Sequence, residues 1–198
     1  PDGKFIFCCF NLNQKISKNI SNLWVEILEK VPNSVLWLIS KNENFVNNFI
    51  NEFKKKNISQ ERIIFSKPIS VDEHLVRIKF ADLFLDTFPY NAHTTCSDSI
   101  WAGVPVLTKR GKSFHSRVAT SLLKTSGLEE LITYSNKEYI DKAVQIANDE
   151  NYLKSLKQKL ISSKDTNPLF DSESYTKKLE QVYDCLLYTS DAADDVIS

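Results

Sequence analysis

The chain has only three histidines, and one of them leads a tripeptide suited to holding phosphate, His93-Thr94-Thr95. The residues from Thr95 to Ala102 have helical spacing, so the tripeptide opens a predicted helix. A helix N-terminus offers unpaired N–H groups and the positive end of the helix dipole, both suited to phosphate. The two threonine hydroxyls add donors. Asp98, one turn in, is placed to take a pair of ribose hydroxyls, and Lys15, just after an apolar run, can neutralise a diphosphate. His74 and Arg77 stand at i and i+3 on a short predicted helix, where a ring face can stack on a nucleobase. Each residue also has an ordinary structural reading. Thr94 or Thr95 serves as an N-cap, Asp98 compensates the dipole, Lys15 is one surface lysine among many, and His74 with Arg77 is a solvated helix face. His115 shows no partner in the sequence and reads as exposed.

For the first set of roles to be real, the fold must bring these loops to one side. KFIFCCF (Lys4–Phe10) is a short apolar run that reads as a buried strand, as do SVLWLIS (Ser34–Ser40), Arg62–Ser66, ADLFLDT (Ala81–Thr87) and VPVLT (Val104–Thr108). Between them, Ser17–Val31, Phe45–Phe53, Val71–Lys79 and Thr95–Ala102 carry apolar residues at helical spacing. Phe114 to Asp184 reads as helices broken near Gly127, Ser135 and Asn167-Pro168. Strands apolar on both faces that alternate with helices predict an α/β fold, a Rossmann-like parallel sheet covered on both sides, with C-terminal helices. Ligands of such sheets bind beyond the carboxyl ends of the strands, where the strand order switches direction. In a 3-2-1-4-5 order the switch lies between the first and fourth strands. The loops there are NLNQK (Asn11–Lys15) and FPYNAHTT (Phe88–Thr95), so the rarest polar residues fall where the topology predicts a site.

With 198 residues, 42% hydrophobic and 25% charged, the chain supports one domain with its own core. Its 25 basic and 25 acidic residues cancel, which argues against a nucleic-acid partner. No apolar run reaches the ~18 residues of a membrane span, so no membrane partner is expected. Four cysteines without a regular framework suit a reducing, cytoplasmic setting. No Gly-rich phosphate loop and no Gly-x-Ser-x-Gly elbow occur, and the adjacent Cys8 and Cys9 lack zinc spacing. No cofactor or metal is expected. A departing diphosphate must then be stabilised by a lysine and a helix end.

The chain contains no methionine and begins at Pro1, which points to a piece of a longer protein. After Asp184 the sequence changes character, from an amphipathic helix (Tyr175, Leu179, Val182, Tyr183) to small and acidic residues without a cap. Cys185 to Asp194 resembles the in-frame translation of a transposase adaptor. The expected domain is therefore residues 1–184, with 185–198 a non-native tail to be set aside from fold reasoning. Without that tail and its three aspartates the chain is mildly basic.

VPNSVLWLI, ERIIFSKP, EHLVR, ADLFLDTFPYNAHTT, DSIWAGVPVLT, SRVATSLL and NPLFDSESYTKKLEQVY follow one another along the chain. Together they resemble the catalytic region of the protein O-linked N-acetylglucosaminyltransferases, which include bacterial members. The resemblance implies the C-terminal lobe of a GT-B glycosyltransferase, in which two Rossmann-like lobes face each other across a cleft. It implies a UDP-sugar donor, UDP-GlcNAc, held without a metal, and transfer with inversion to Ser/Thr hydroxyls of an acceptor protein. It further implies that Lys15 contacts the diphosphate and is catalytic, that His93, Thr94 and Thr95 form the diphosphate turn, and that Asp98 holds the ribose. His74 would stack on uracil beside Arg77, and the main chain at Ile69 would read the uracil edge. An N-terminal lobe, which would carry the general base, and a tetratricopeptide array would lie elsewhere in the full protein.

Four residues depart from the family pattern. Leu12 stands where animal members have glutamine, Val71 replaces a lysine beside the base, Tyr90 replaces a cysteine, and Lys112 replaces a glutamate. These changes bear on the sugar, because related enzymes transfer glucose from UDP or fucose from GDP. Two alternatives remain open: a nucleotide-binding or protein-interaction module without turnover, and a GT-B enzyme acting on glycans or a lipid carrier. If residues 185–198 carry no packing role, truncation at Asp184 changes stability by less than about 0.5 kcal/mol in urea unfolding, and a larger loss makes the tail part of the fold.

Overall fold

The computed structural model describes residues 3–194, with side chains placed as far as Tyr188. Six strands, β1 (Phe5–Cys9), β2 (Ser34–Ile39), β3 (Ile63–Ser66), β4 (Leu83–Leu85), β5 (Val106–Lys109) and β6 (Ile132–Thr133), form one sheet in the order β3-β2-β1-β4-β5-β6. Every pairing is parallel. The helices are α1 (Lys18–Lys30), α2 (Glu43–Lys54), α3 (Val71–Ile78), α4 (Thr94–Trp101), α5 (Val118–Thr125), α6 (Asn136–Asn148), α7 (Glu150–Ser163) and α8 (Ser172–Asp194). Helices α3, α4 and α5 touch in series on one face of the sheet, and α1 meets α6 on the other. Strands sandwiched this way bury both faces, which is why β1 and β4 are apolar throughout.

Local signals start the helices where the periodicity begins. Ser17, Asn42, Ser135 and Asp149 each accept a main-chain N–H in the first turn of α1, α2, α6 and α7. Ser70 and Glu73 form a reciprocal capping box on α3. Arg62, just before β3, donates to the carbonyls of Leu28, Val31 and Ser34, all at 2.8 Å, and so satisfies the C-terminal end of α1. The core centres on the fully buried Phe7, Trp24, Leu36, Leu38, Phe84 and Tyr139.

The five expected strands are observed, in the 3-2-1-4-5 order that sets the switch point between the first and fourth, and β6 is added inside a stretch read as helical. It is two residues long, paired Thr108 to Ile132 and Lys109 to Thr133, too short to show a strand period. The last helix also does not stop at Asp184. It runs on to Asp194, since Cys185 to Asp194 holds neither Gly nor Pro and a helix already nucleated extends at little cost. Residues 195–198 of the expected tail lie outside the described residues.

The WAGVPV segment turns α4 into β5. The Gly103 N–H donates to the Ile100 carbonyl at 3.1 Å and the Val104 N–H to the Ser99 carbonyl at 2.9 Å, with Gly103 at φ +80°. This is the left-handed helix stop that glycine makes without strain. A Cβ there would also lie 3.2 Å from Ile161 Cγ1 of α7. Gly103→Ala is expected to cost about 1–2 kcal/mol in chemical unfolding, from the left-handed backbone of a residue with a Cβ; an unchanged midpoint would show that the turn relaxes.

Candidate functional site

Because β1 and β4 are neighbours, the loops that follow them rise side by side from the centre of the sheet. The first holds Lys15, whose Nζ donates to the Asn91 carbonyl in the second at 2.9 Å. Lys15 also lies over the Tyr90 ring, 4.2 Å from its centroid. Burial lowers the Lys15 pKa, and the nearby Asp86 carboxylate works against that shift. Tyr90 is stacked near-parallel with both His93 and His115, with ring centroids 5.2 Å apart in each pair. His115 is thus half-buried and partnered, against the expectation of an exposed residue. Its Nε2 lies 3.1 Å from Ser113 Oγ, and its carbonyl accepts the Asn91 N–H.

His93 is the N-cap residue of α4, and no side chain caps that helix, so neither Thr94 nor Thr95 is an N-cap. The first main-chain bonds of α4 run from Cys96 and Ser97 to the His93 carbonyl. The N–H groups of Thr94 and Thr95 stand ahead of them, where a helix has donors left over. His93 Nε2 is buried without a protein partner among the described residues, and burial, then Lys15, lowers the pKa of its ring. The ring is therefore neutral near pH 7, with a polar atom that a ligand can satisfy. Of the two threonine hydroxyls expected to serve as donors, Thr95's is already engaged, donating to Asn11 Oδ1 at 2.6 Å. The Asp98 carboxylate is half-buried and makes no hydrogen bond or ion pair among the described residues, and burial raises its pKa.

His74, Arg77 and Ile69 come from the far side of β1. Arg77 Nη2 lies 2.8 Å from His74 Nδ1. A guanidinium can only donate, so Nδ1 accepts and the imidazole proton sits on Nε2. Burial, then Arg77, lowers the His74 pKa, which keeps the ring uncharged. Its edge meets Phe10 at 5.1 Å, next to Asn11, which ties His74 to the first loop. Arg77 also donates to the Lys67 carbonyl at 2.8 Å and so holds the segment leading to Ile69, which is exposed. Beside the first loop a crevice of about 490 Å³ is lined by Phe10, Asn11, Leu12, Ser40 and Pro68. Of the departing residues, Leu12 and Val71 are both 71% exposed, and Lys112 lies outside this crevice with Arg110, Arg117 and Tyr134.

A residue that the motifs did not single out sits beneath all of this. Asp86, fully buried just after β4, accepts from Thr108 Oγ1 and the Ala92 N–H at 2.6 Å each, and from the Thr87 N–H at 2.8 Å. Burial pushes its carboxyl up to about 7, with those bonds pulling the other way. Its sequence signal was an acidic residue at the end of an otherwise apolar run.

A parallel sheet with this strand order and an open helix N-terminus at its switch point defines a Rossmann-like nucleotide-binding lobe, the architecture of each lobe of a GT-B glycosyltransferase. The profile of glycosyl transferase family 41 matches residues 1–179, and the chain belongs to that family. It is 39% identical over 184 residues to a probable UDP-N-acetylglucosamine–peptide N-acetylglucosaminyltransferase, SEC, of Arabidopsis thaliana, covering 92% of this chain and 19% of that protein. It is 35% identical to the corresponding transferase of Caenorhabditis elegans, covering 92% of this chain and 16% of that protein. An O-GlcNAc transferase structure from Thermobaculum terrenum superposes with a TM-score of 0.88 at 31% identity, covering 92% of this chain and 36% of that one. The chain thus spans about a fifth of the length of these curated relatives. Among the described residues no helix is long and apolar enough to cross a membrane, and no group of three or more His, Cys, Asp or Glu is placed to hold a metal ion.

The Asp86 pKa of about 7, against an ordinary 3.8, means that the folded chain holds this proton more tightly than the unfolded one. Stability attributable to Asp86 therefore falls as pH rises from about 4 to about 7 and levels off above. The measurement is urea unfolding of wild type and Asp86→Asn over that range. The variant is expected to gain on wild type steadily up to about pH 7, whereas a pH-independent difference would mean that Asp86 ionises normally. Taking the difference cancels the histidines, which both proteins share.

Proposed function

We propose that the chain is the donor-binding lobe of an inverting, metal-independent glycosyltransferase that moves GlcNAc from UDP-GlcNAc to Ser/Thr hydroxyls of proteins. The observation that carries this reading is the Lys15 ammonium held between the two switch-point loops, at the open end of α4. What the matched relatives' names say of their donor and acceptor supports the choice of substrate. UDP would lie with its uracil against the neutral His74 ring and the Ile69 main chain, near Arg77. Its ribose would reach Asp98, and its diphosphate would meet His93, the first turn of α4 and Lys15.

The acceptor oxygen attacks the anomeric carbon from the face opposite UDP. The bond from that carbon to the β-phosphate oxygen breaks, and its electron pair stays on UDP. The acceptor proton passes to a base outside this lobe, on the N-terminal lobe of the complete protein, where the tetratricopeptide array would also lie. Charge that builds on the leaving diphosphate is stabilised more in the transition state than in the ground state. The α4 end supplies about half a charge, and Lys15 supplies a full one. A cytoplasmic setting suits a nucleotide-sugar donor and the three buried cysteines outside the tail, Cys8, Cys9 and Cys96.

A binding module without turnover is favoured by one observation, the exposed apolar Leu12 and Val71 at the base side of the site. Steady-state kinetics within the complete reading frame, with chelator present, separates the two. Lys15→Ala is expected to lower kcat by roughly 100-fold, the scale of one lost oxyanion-type donor. His74→Ala is expected to raise KM with little change in kcat, because base stacking is equal in both states. A Lys15→Ala effect on KM alone, or loss of wild-type activity in chelator, overturns the leaving-group mechanism. The absence of any turnover supports the module.

A further inference from the structure

The buried Asp86 carboxylate lies under the donor site, and the reaction as proposed gives it no part. Its Oδ1 accepts from the Thr87 and Ala92 N–H groups at 2.8 and 2.6 Å and from Asn11 Nδ2 at 3.4 Å, while Oδ2 accepts from Thr108 at 2.6 Å. One side chain thus joins the first loop, β5 and both ends of the segment Thr87–Ala92 that delivers His93. The direction of the bonds is determined. The Thr87 hydroxyl gives its proton to the Tyr90 carbonyl at 2.7 Å, so toward Asn11 Nδ2, 2.8 Å away, it can only accept. Asp86 Oδ1, already taking two N–H groups, also presents an acceptor to Asn11. Both contacts turn the Asn11 NH₂ inward and its carbonyl oxygen toward α4, where the Thr95 hydroxyl must donate at 2.6 Å.

We propose, resting on the donor-site reading above, that Asp86 is a positioning residue. It directs a hydrogen-bond chain, Asp86–Asn11–Thr95, that turns the Thr95 hydroxyl proton inward, so that the diphosphate is met by the Thr94 and Thr95 main-chain N–H groups and Lys15 rather than by the Thr95 side chain. The hydroxyl then acts as an anchor, fixing the first turn of α4 against the end of β1. The ionisable groups facing Asp86 are Lys15 from the first loop, Cys9 of β1, Cys96 of α4 and Tyr139 of α6. Burial raises the pKa of both thiols and the phenol, which leaves Lys15 as the only charged neighbour among them. A proton taken up by Asp86 goes to Oδ2, where the Thr108 hydroxyl can turn to accept it. Protonation therefore leaves the direction of the chain intact, as does an asparagine with its amide nitrogen in that place.

The test is calorimetric titration of this chain with UDP-GlcNAc. Asn11→Ala and Thr95→Val are each expected to weaken binding by about tenfold, and the double variant by no more than either alone, because residues of one network are not additive. Asp86→Ala is expected to match them, whereas Asp86→Asn stays within about threefold of wild type. If the Asn11 and Thr95 losses multiply, Thr95 is an independent ligand and the proposal is wrong. It is equally wrong if Asp86→Ala, folded by circular dichroism, binds as wild type does. Should Asp86→Ala not fold, the Asn11–Thr95 cycle together with Asp86→Asn decides, since a tenfold loss in a folded Asp86→Asn would contradict the directed chain. No binding by wild type removes the donor-site reading and the proposal with it, whereas binding with multiplying losses removes the proposal alone.

Discussion

Parallel strands put all their carboxyl ends on one side, and only one place in such a sheet lets two of the loops that follow stand apart from their own crossover helices. In this chain that place is the β1–β4 seam, where Phe7 pairs with Leu83 and Cys8 with Phe84. Everything at the site depends on that seam. It brings Lys15 within hydrogen-bond distance of Asn91, seventy-six residues later, and Asn11 within reach of Asp86, Thr87 and Thr95. The seam is held by the parallel main-chain pairing of β1 and β4, by the Ile6–Asp82 bonds at its lower end, and by apolar burial, since the residues at its centre are all fully buried. A packed sheet therefore fixes the position of a polar cluster that has no rigidity of its own.

On the proposed reading the site faces an anion, and that accounts for its particular mix of groups. Two histidines are kept neutral by burial and by nearby cations. One carboxylate is buried under four donors, and one lysine is held at the mouth. A neutral ring stacks on a base without taking up a proton, and an uncapped helix end gives directed N–H groups that need no counterion. On the proposed reading the Lys15 charge stands where charge changes during reaction, Arg77 stands on the base side, and the rest of the binding is polar and aromatic.

Much of this arrangement is legible in the sequence because it rests on runs and spacing. Five strands and the helix beginning at the His-Thr-Thr turn follow from apolar runs, helical periodicity and the rarity of histidine. What stays hidden depends on contacts between distant residues. Asp86 and Asn11 are a charged and an amide residue at strand ends, a commonplace pattern, and only the fold shows that they share a hydrogen bond and decide where Thr95 points. His115 looks unpartnered until the loop after β5 lays its ring on Tyr90. Strand β6 is invisible for a different reason: two residues cannot display a period, and only the edge of β5 makes them a strand.

The same geometry says which part of a transfer reaction this lobe can supply. A general base must offer an uncommitted acceptor to the attacking hydroxyl. Asp86 has both oxygens filled by four donors and lies beneath the surface. Asp98 is uncommitted but stands one turn along α4, where the proposed reading gives it the ribose. His74 accepts from Arg77 on one nitrogen and carries its proton on the other, and the proposed reading sets its ring against the base. Among the ionisable groups of the described residues His93 Nε2 is buried and unpartnered at the start of α4, and the burial and Lys15 that lower its pKa make it a poor acceptor of a full proton. The groups gathered at the seam thus suit holding a nucleotide and receiving the charge it leaves with. On the proposed reading the proton of the acceptor is taken outside this lobe, so binding of donor and activation of acceptor would be divided between two parts of the complete protein.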